Sequence, residues 1–398
     1  MIWQKLKPTL IPIGTFILIL TVSFAIISYG RGYRLDITNK AVRPTGLMVA
    51  ASEPTGAQVF IDGKVSGATN STLNLSPGWY QVRILKEGYQ PWEKRLRVQG
   101  EVVSKADAFL MPANPSLSAI TMNGAAQPVL SPDGGKLAYL VPNGTDELED
   151  KAGVWTLDLV DKPLGLNRDA KQIVKANVLG IPIAKATLQW SPDSKQLLIQ
   201  NASGRPAYLV DTDRLNESPQ LAPDPQSVTK KWLTQDAAKE KEKLSTLNPN
   251  LVAMITRAGR VINFSPDETK ILYEATASAT IPQIIKPSLI GTNPTEEDRS
   301  LKPGIVYVYD IKEDRNYIIQ NINASSSHWL PTSRHLLVIT KEKIEVLEFD
   351  ATNRRTIYAG PFWDSFAVPW TSPTKIVILT SLNPAAGSVA NLYTVNLR

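Results

Sequence analysis

The spacing of apolar and polar residues divides the chain into three parts. Residues 8–30 form one uncharged and mostly apolar stretch, and a helix needs about 20 such residues to cross a bilayer. Residues 46–112 and 113–398 contain short runs in which apolar and polar residues alternate, as expected for half-buried β-strands. The pattern predicts a mainly β protein with an N-terminal transmembrane helix, a small β-sandwich and a larger repeat domain.

The apolar stretch is predicted to be an uncleaved anchor within an N-terminal segment, residues 1–45. It is longer than the hydrophobic core of a signal peptide, about 7–15 residues, and Ile27-Ser28-Tyr29 is a poor cleavage site. Residues 1–45 also carry six basic groups and one acidic group. This basic excess beside the apolar stretch favours contact with anionic membrane lipid. The basic residues flank both sides of the stretch, and their count alone would keep the C-terminal domains in the cytoplasm.

The second part, residues 46–112, has the alternation and turns of a small antiparallel β-sandwich. The predicted strands cover residues 47–51, 57–61, 79–85, 94–98 and a last run before Phe109. Asp62-Gly63 and Pro77-Gly78 are tight-turn pairs that separate such strands.

The spacing of turn and core residues in this part resembles the PEGA domain. The matching positions are Ser52, Pro54, Gly56, Ala57, Val59, Ile61, Asp62, Gly63, Leu73, Leu75, Pro77, Gly78, Tyr80, Lys86, Gly88, Tyr89 and Trp92. Thr55 departs from the pattern, which has Glu there. The resemblance implies a small interaction or spacer module of bacterial and archaeal surface proteins, without catalytic residues. It also favours export of the C-terminal domains over the cytoplasmic placement.

Four aromatic residues of this module have two interpretations. Trp79, Tyr80, Tyr89 and Trp92 are either a platform for a glycan or a partner, or the packing residues of a small sandwich. We favour packing, because large rings in small β domains usually fill the core and its rim.

The third part repeats a hairpin. Ser-Pro-Asp occurs at residues 131–133, 191–193 and 265–267, each time after an apolar residue and before a strand-like run. Pro presets the turn and Asp bonds to the backbone that follows it. Weaker copies lie at 327–338 and 368–378, and a third and a more polar fourth strand follow most copies.

Four strands per unit, at a period of about 40–45 residues, predict a β-propeller over residues 113–398. Successive turn prolines are 60, 74, 65 and 42 residues apart, so insertions are expected near 215–258 and 277–304. The first contains a charge-rich helix within 228–247, either a docking helix or a solvated insertion. Residues 117–121 are expected to complete the last sheet. Five blades are predicted, with six as the alternative if an insertion conceals one.

The repeated turn resembles the WD-repeat-like propellers of TolB and of prolyl-oligopeptidase relatives. The first three copies match well and the last two loosely. No counterpart of the hydrolase domain of the oligopeptidases is expected, since the residues after the last predicted hairpin are taken up by the last blade.

Composition narrows the functional classes. The net charge of +6 lies entirely in the first 112 residues, since residues 113–398 hold 30 basic and 30 acidic residues; this argues against nucleic acid as a partner. The absence of Cys excludes disulfides, thiolate metal sites and a Cys nucleophile. There is no Gly-x-Ser-x-Gly elbow and no His-Glu-x-x-His motif.

The remaining candidates for chemistry have simpler structural roles. The only two histidines, His328 and His335, share one predicted hairpin and are expected to flank the blade. Asp133, Asp193 and Asp267 fall in equivalent turns of different blades, so capping of the turn is expected rather than joint metal binding. No catalytic residue, metal site or cofactor is predicted.

The sequence therefore predicts a non-enzymatic, membrane-anchored protein of the cell envelope that binds or scaffolds. Its partner would be an envelope protein or a surface polymer. The alternative is a glycan or small-solute binder that uses the central funnel of the propeller. Trp232 and Leu233 are the residues of the charged helix to test if binding is found.

Overall fold

The structure is a computed structural model that describes residues 3–30, 33–36, 41–100, 102–142, 150–161, 170–322, 324–382 and 389–398. Arg31 and Lys40 of the predicted basic linker lie outside these ranges. The chain forms two compact units, one of Met1–Leu110 with Pro287–Thr295 and one of Met111–Lys286 with Glu296–Arg398.

The first unit starts with helix α1, Trp3–Gly30, followed by an antiparallel strand pair, β1 (Tyr33–Asp36) and β2 (Ala41–Pro44). Among the residues that the structure describes, no helix has both the length and the apolar character needed to cross a membrane. The transmembrane helix expected over residues 8–30, and its contact with lipid, are therefore not confirmed.

Seven strands follow in the first unit. They are β3 (Gly46–Glu53), β4 (Gln58–Ile61), β5 (Lys64–Ala68), β6 (Ser71–Leu75), β7 (Gly78–Leu85), β8 (Trp92–Val98) and β9 (Val103–Phe109). They form a three-stranded sheet, β6-β3-β9, and a four-stranded sheet, β5-β4-β7-β8. Alternation along β7 buries Val82 and Ile84 in the core and leaves Gln81 and Arg83 exposed. The buried faces of the two sheets share one hydrophobic core.

Two features of this sandwich differ from the sequence-based prediction. Strand β9 pairs with β3 in parallel, so the sandwich is not purely antiparallel; β9 crosses from the four-stranded sheet to the other sheet, where it runs beside the first strand. Strands β5 and β6 were not predicted, because neither contains a fully buried position that would give a strong alternation. The Asp62-Gly63 turn is as predicted, with φ of 48° and 79°, the positive values that a two-residue hairpin turn requires.

The second unit contains most of the strands. In chain order they are β10 (Leu117–Ala119), β11 (Ala126–Leu130), β12 (Lys136–Val141), β13 (Gly153–Asp158), β14 (Lys171–Lys175), β15 (Ala186–Trp190), β16 (Gln196–Asn201), β17 (Ala207–Asp211), β18 (Gln220–Leu221), β19 (Gly259–Phe264), β20 (Lys270–Ala275), β21 (Ala279–Thr280), β22 (Ser300–Leu301), β23 (Val306–Asp310), β24 (Arg315–Ile319), β25 (Ser327–Trp329), β26 (His335–Ile339), β27 (Ile344–Glu348), β28 (Arg355–Tyr358), β29 (Ala367–Pro369), β30 (Lys375–Thr380) and β31 (Asn391–Asn396). The helices are α2 (Ala176–Leu179), α3 (Pro225–Ser245) and α4 (Pro249–Ala258), with short 3₁₀ turns at Ile183–Lys185 and Ala324–Ser326.

Within the described ranges these strands make five four-stranded sheets, which we call blades 1 to 5. Blade 1 is β11-β12-β13-β14, blade 2 is β15-β16-β17-β18, blade 3 is β19-β20-β23-β24, blade 4 is β25-β26-β27-β28 and blade 5 is β29-β30-β31-β10. The count agrees with the predicted five blades. A separate two-stranded pair, β21-β22, lies in the predicted insertion at 277–304.

Blade 5 combines the two ends of the repeat domain. Strand β10 pairs antiparallel with β31, as predicted for residues 117–121. Two further hydrogen bonds stabilise this pairing. Thr121 Oγ1 accepts the Leu392 N–H at 2.9 Å, and Asn391 Oδ1 accepts the Gly124 N–H at 3.0 Å. The first strand of the domain thus completes its last sheet.

Most neighbouring blades pack directly against each other. Blades 5 and 1, 1 and 2, and 3 and 4 share hydrophobic clusters. Leu197 and Ile199 of β16 face blade 1, whereas Leu198 between them faces the opposite way. These alternating contacts follow from the period of two in a strand.

Blades 2 and 3 are joined differently. In the described clusters, the second face of blade 2, with Leu198 and Leu209, packs against Trp232 of α3. The second face of blade 3, with Ile271 and Tyr273, packs against α4 and against Leu244 at the end of α3. The two helices therefore complete the cores of the two blades that they connect. This explains the spacing of 74 residues between Pro192 and Pro266.

Candidate interaction surface beside helix α3

The Ser-Pro-Asp turns are structural, as predicted. In blade 1, the Ser131 hydroxyl donates to Asp133 Oδ1 at 2.6 Å and accepts the Lys136 N–H at 2.9 Å, while Asp133 Oδ1 also accepts the Gly135 N–H at 3.0 Å. The turns at 191–193 and 265–267 repeat this arrangement. The three carboxylates belong to three different blades, and each accepts hydrogen bonds from groups of its own turn.

These hydrogen bonds also set the charge of the turns. The Ser191 hydroxyl is the main cause of the lowered pKa of Asp193. Burial acts to raise the pKa of Asp133 and Asp267, but the hydrogen bonds from their own turns outweigh it and lower both values. All three carboxyls are therefore charged acceptors at neutral pH, which strengthens the turn.

The same turns connect one blade to the next. The Asp133 N–H of blade 1 donates to Ser194 Oγ of blade 2 at 3.3 Å, and the Asp267 N–H of blade 3 donates to Ser333 Oγ of blade 4 at 3.0 Å. Glu268 occupies the position of these serines in blade 3. Its side chain pairs instead with Lys243 of α3, with Nζ and Oε1 2.7 Å apart.

Helix α3 connects the turns of blades 2 and 3. Lys239 Nζ donates to the Pro192 carbonyl of blade 2 at 2.6 Å, one helical turn before the Lys243 contact to blade 3. Thr229 Oγ1 donates to Gln189 Oε1 of β15 at 3.0 Å. With Trp232 buried against blade 2, α3 is fixed by side-chain contacts along its length.

The local sequence explains where α3 begins. Asp224 is the N-cap and accepts the Ser227 N–H at 3.3 Å, and Pro225 occupies the first helical position, where a missing N–H costs nothing. The helix therefore starts before the predicted 228–247 segment. It is packed through one side and exposed on most of its other positions, so it is neither fully buried nor purely solvated.

A groove lies between α3 and the Ser-Pro-Asp turn of blade 2. Its volume is about 490 Å³. It is lined by Ser191, Pro192, Asp193, Gln196, Lys231, Trp232, Gln235, Ala238 and Lys239. The side chain of Leu233, the residue after Trp232, is 60% exposed, but at 3.6 residues per turn it lies on the side of α3 away from Lys231, Gln235 and Lys239. The groove thus combines an aromatic floor with polar and cationic walls.

The insertion within blade 3 is held by a buried polar network. Asp314 Oδ2 accepts the N–H groups of Ile284 and Ile285 at 2.7 and 2.8 Å, and its Oδ1 accepts the Tyr309 hydroxyl at 2.7 Å. Arg299 Nη1 lies 3.2 Å from the same carboxylate. These partners outweigh burial and lower the pKa of Asp314. The network fixes both arms of the insertion; its tip, Pro287–Thr295, belongs to the first unit, where the Gly291 N–H donates to Gln99 Oε1 at 3.1 Å.

Both histidines lie in blade 4 with separate surroundings. His335 is buried, and its Nδ1 is 2.9 Å from the Thr332 hydroxyl of the turn. His328 lies on β25, the first strand of the blade, and burial lowers its pKa to about 4. Among the described residues, no group of three or more His, Asp or Glu side chains is placed to hold a metal ion.

The four aromatic residues of the first unit do not share one role. Trp92 is 4% exposed in the core, and Tyr80 and Tyr89 pack against that core, so the packing interpretation is confirmed for these three. Trp79 is 46% exposed. Sequence alone did not separate it from the others, although its position opposite Val82 and Ile84 in the alternation of β7 was a usable signal.

Comparison with known proteins supports the division into modules. Residues 45–114 match the PEGA domain. No curated protein matches the chain. Among solved structures, the chain is similar to a putative TolB from Agrobacterium tumefaciens, with 13% identity, a TM-score of 0.24 and coverage of 71% of this chain and 83% of that one.

Two further structures show weaker sequence identity. TolB from Acinetobacter baumannii has 11% identity and a TM-score of 0.23, over 94% of this chain and 68% of that one. An oligogalacturonate lyase in complex with manganese has 10% identity and a TM-score of 0.23, over 80% and 83% of the two chains. The assignment of a bladed β fold rests on the strand order described above. The PEGA match and this fold fit a binding or scaffold module of the cell envelope.

Proposed function

We propose that the chain is a non-enzymatic protein of the cell envelope that binds another envelope protein through the surface around α3. In this proposal residues 46–112 form a PEGA-type module, residues 113–398 form a propeller, and both lie outside the cytoplasmic membrane. The PEGA match over residues 45–114 supports the surface location, because modules of this type are found in surface proteins.

The observation that carries the proposal is the groove between α3 and blade 2. Protein interfaces have a core of aromatic and aliphatic groups that is surrounded by polar and charged groups. In the groove, Trp232, Pro192 and Ala238 supply the apolar groups, and Lys231, Gln235 and Lys239 supply the polar and charged groups around them. A volume of about 490 Å³ accommodates one or two side chains of a partner.

The rigidity of the surface favours binding. Trp232 is anchored in the cluster with Leu198 and Leu209, and Lys239 and Lys243 fix the helix to two blades. A partner would therefore meet a preformed site and lose little conformational entropy of this chain on binding.

Site-directed photocrosslinking in the cells that express the protein tests the proposal. A photoreactive amino acid replaces Gln235, an exposed residue of the groove lining, and the full-length chain is recovered after irradiation. We expect a covalent adduct of one defined mass, because only a docked protein stays within reach of the side chain. The matched control is Val160, a residue just after β13 of blade 1 that is 48% exposed and distant in sequence from α3.

Two outcomes would count against the proposal. Equal adducts from positions 235 and 160 would indicate unspecific collision. Absence of an adduct at 235, together with saturable binding of a purified surface glycan to the same chain, would favour the alternative function of a glycan or small-solute binder. Loss of the adduct at 235 in an Ala238→Trp variant, whose larger side chain fills the groove, would support the protein partner.

A further inference from the structure

The exposed face of the four-stranded sheet in the first unit carries an unusual cluster of cations. Along β7 the outward residues are Trp79, Gln81 and Arg83, and along β8 they are Arg97, Arg95 and Glu93. The register pairs Trp79 with Arg97, Gln81 with Arg95 and Arg83 with Glu93. These six side chains form a two-column strip on one face of the sheet.

The two ends of the strip differ in charge. Arg83 Nε is 3.1 Å from Glu93 Oε1, so this end is internally neutralised. Arg95 and Arg97 at the other end have their guanidinium carbons 4.9 Å and 6.0 Å from the centroid of the Trp79 ring. Both arginines are exposed. The strip has a net charge of +2, carried by the two guanidinium groups around the Trp79 ring.

Stacking on the indole prepares the two arginines for a ligand. A guanidinium held over an aromatic face keeps its N–H groups directed outward in its own plane. Such a fork matches the two oxygens of a carboxylate. The Trp79 ring also adds apolar area, as it is 46% exposed.

The spacing of the arginines indicates the form of the ligand. Arg95 and Arg97 are two residues apart on a strand, a distance of about 6.8 Å. In an extended peptide, acidic side chains at alternate positions have the same spacing. We propose that this Trp79-Arg95-Arg97 surface binds an extended peptide segment of a partner protein with acidic residues at alternate positions.

This surface is separate from the groove beside α3, and the proposal does not depend on the proposed function of that groove. A carboxylated polysaccharide is the other class of anionic partner. It is less favoured, because sugar rings bind an aromatic platform by stacking and the guanidinium groups of Arg95 and Arg97 lie over the Trp79 ring.

Fluorescence anisotropy with the purified full-length chain tests the inference. The probe is a labelled peptide of alternating Glu and Thr, and a block peptide of the same composition is the control for spacing. We expect saturable binding that weakens as salt rises, with the alternating peptide preferred. The double variant R95A/R97A should lower the affinity at least about tenfold, since two charge-assisted contacts are lost.

Matched variants separate binding from folding. R83A/E93A removes the ion pair from the same face without changing its net charge, and it should change the affinity less than about threefold. R95K keeps the charge but not the planar fork, so its affinity should fall between those of the wild type and R95A/R97A. The thermal unfolding midpoint of each variant confirms that the sheet is intact.

Three results would overturn the inference. These are unchanged affinity in R95A/R97A, equal affinity for the alternating and block peptides, and no peptide binding while polyglucuronate binds with dependence on both arginines. The last result would assign the surface to a polysaccharide. The A238W variant, which fills the groove beside α3, should bind the peptide like the wild type, so failure here and failure of the α3 proposal remain distinguishable.

Discussion

At the scale of single residues, the serine of each Ser-Pro-Asp turn satisfies two groups at once. The Ser265 hydroxyl donates to Asp267 at 2.7 Å and accepts the Lys270 N–H at 3.0 Å, and Ser265 is only 1% exposed. The repetition of the motif therefore reflects the stability of each hairpin and the contacts between blades.

Replacement of Ser265 by alanine should destabilise the protein. It leaves the buried Lys270 N–H without its acceptor, and such a loss costs about 1–3 kcal/mol. Denaturant unfolding of the full-length chain measures the change. The control S203A removes an exposed turn hydroxyl that bonds only to the Arg205 carbonyl, and it should change the free energy of unfolding by less than about 0.5 kcal/mol. Equal effects of the two substitutions would contradict this account of the turn.

His328 should make stability depend on pH in a defined range. Burial lowers its pKa from 6.5 to about 4, so the folded state favours the neutral ring. The resulting stabilisation is complete above pH 6.5 and is lost as the pH falls through about 4. By linkage, we expect a loss of about 1–3 kcal/mol over that range.

Comparison of the wild type with H328Q at pH 7.5 and pH 4.5 measures this effect. The unfolding midpoint of H328Q should fall less on acidification, because glutamine does not titrate. The carboxyls with lowered pKa, Asp133, Asp193, Asp267 and Asp314, lose their stabilisation only below their usual pKa of 3.8. An identical fall in both proteins would show that His328 does not titrate on unfolding.

At the scale of elements, α3 shows how a helix rich in charge is held by few contacts. Only Pro225 and Trp232 are fully buried, and the helix carries five lysines. The contacts of Lys239 and Lys243 with the turns of blades 2 and 3 take the place of the direct serine bond found between blades 1 and 2 and between blades 3 and 4. A charged surface helix has thus become part of the connection between two blades.

W232A should release α3 from blade 2. The substitution removes the aromatic group that completes the cluster of Leu198 and Leu209, and a buried Trp→Ala change costs about 3–5 kcal/mol. Limited digestion with trypsin should cleave within α3 faster in W232A than in the wild type, since the lysines become accessible. L233A, which alters a side chain that is 60% exposed, is the control and should leave the digestion rate unchanged. Unchanged cleavage in W232A would contradict the anchoring role.

At the scale of the whole molecule, closure of the bladed domain depends on contacts between residues far apart in sequence. Ser118 on β10 is paired with Thr394 on β31, 276 residues away. Ordering so long a loop costs entropy, which the pairing of β10 must offset. Stability of the second unit should therefore be sensitive to any covalent link between these strands.

An engineered disulfide that joins positions 118 and 394 is a direct test in a chain without native cysteines. The double substitution S118C/T394C closes a very long loop and should raise the free energy of unfolding by up to about 5 kcal/mol. The pair T187C/Q200C, which are opposite in one hairpin, closes a short loop and should gain about 3 kcal/mol at most. The gain must disappear in reductant; a larger gain from the local pair would contradict the closure by β10.

Much of the fold was predictable because it depends on local patterns. Apolar alternation located most strands of the sandwich, and the turn residues located the five hairpins and the closing strand at 117–121. The parallel pairing of β3 with β9 was not predictable, since alternation is the same in parallel and antiparallel strands. The exposed strands β5 and β6 lack the buried positions on which such a prediction depends.

The candidate sites could not be predicted in the same way, because they are formed by contacts between residues that are distant in the sequence. By itself, the sequence determined the PEGA-like module, the five repeats and the structural role of the turn aspartates, because these follow from short-range spacing and hydrogen bonding. Only the tertiary structure decided that α3 joins blades 2 and 3, that Trp79 stays exposed while Trp92 is buried, and that Arg95 and Arg97 stack on Trp79. The physical reason is that burial and charge pairing are set by which surfaces meet in the folded chain. Two residues with similar sequence patterns, such as Trp79 and Trp92, can therefore have different surroundings.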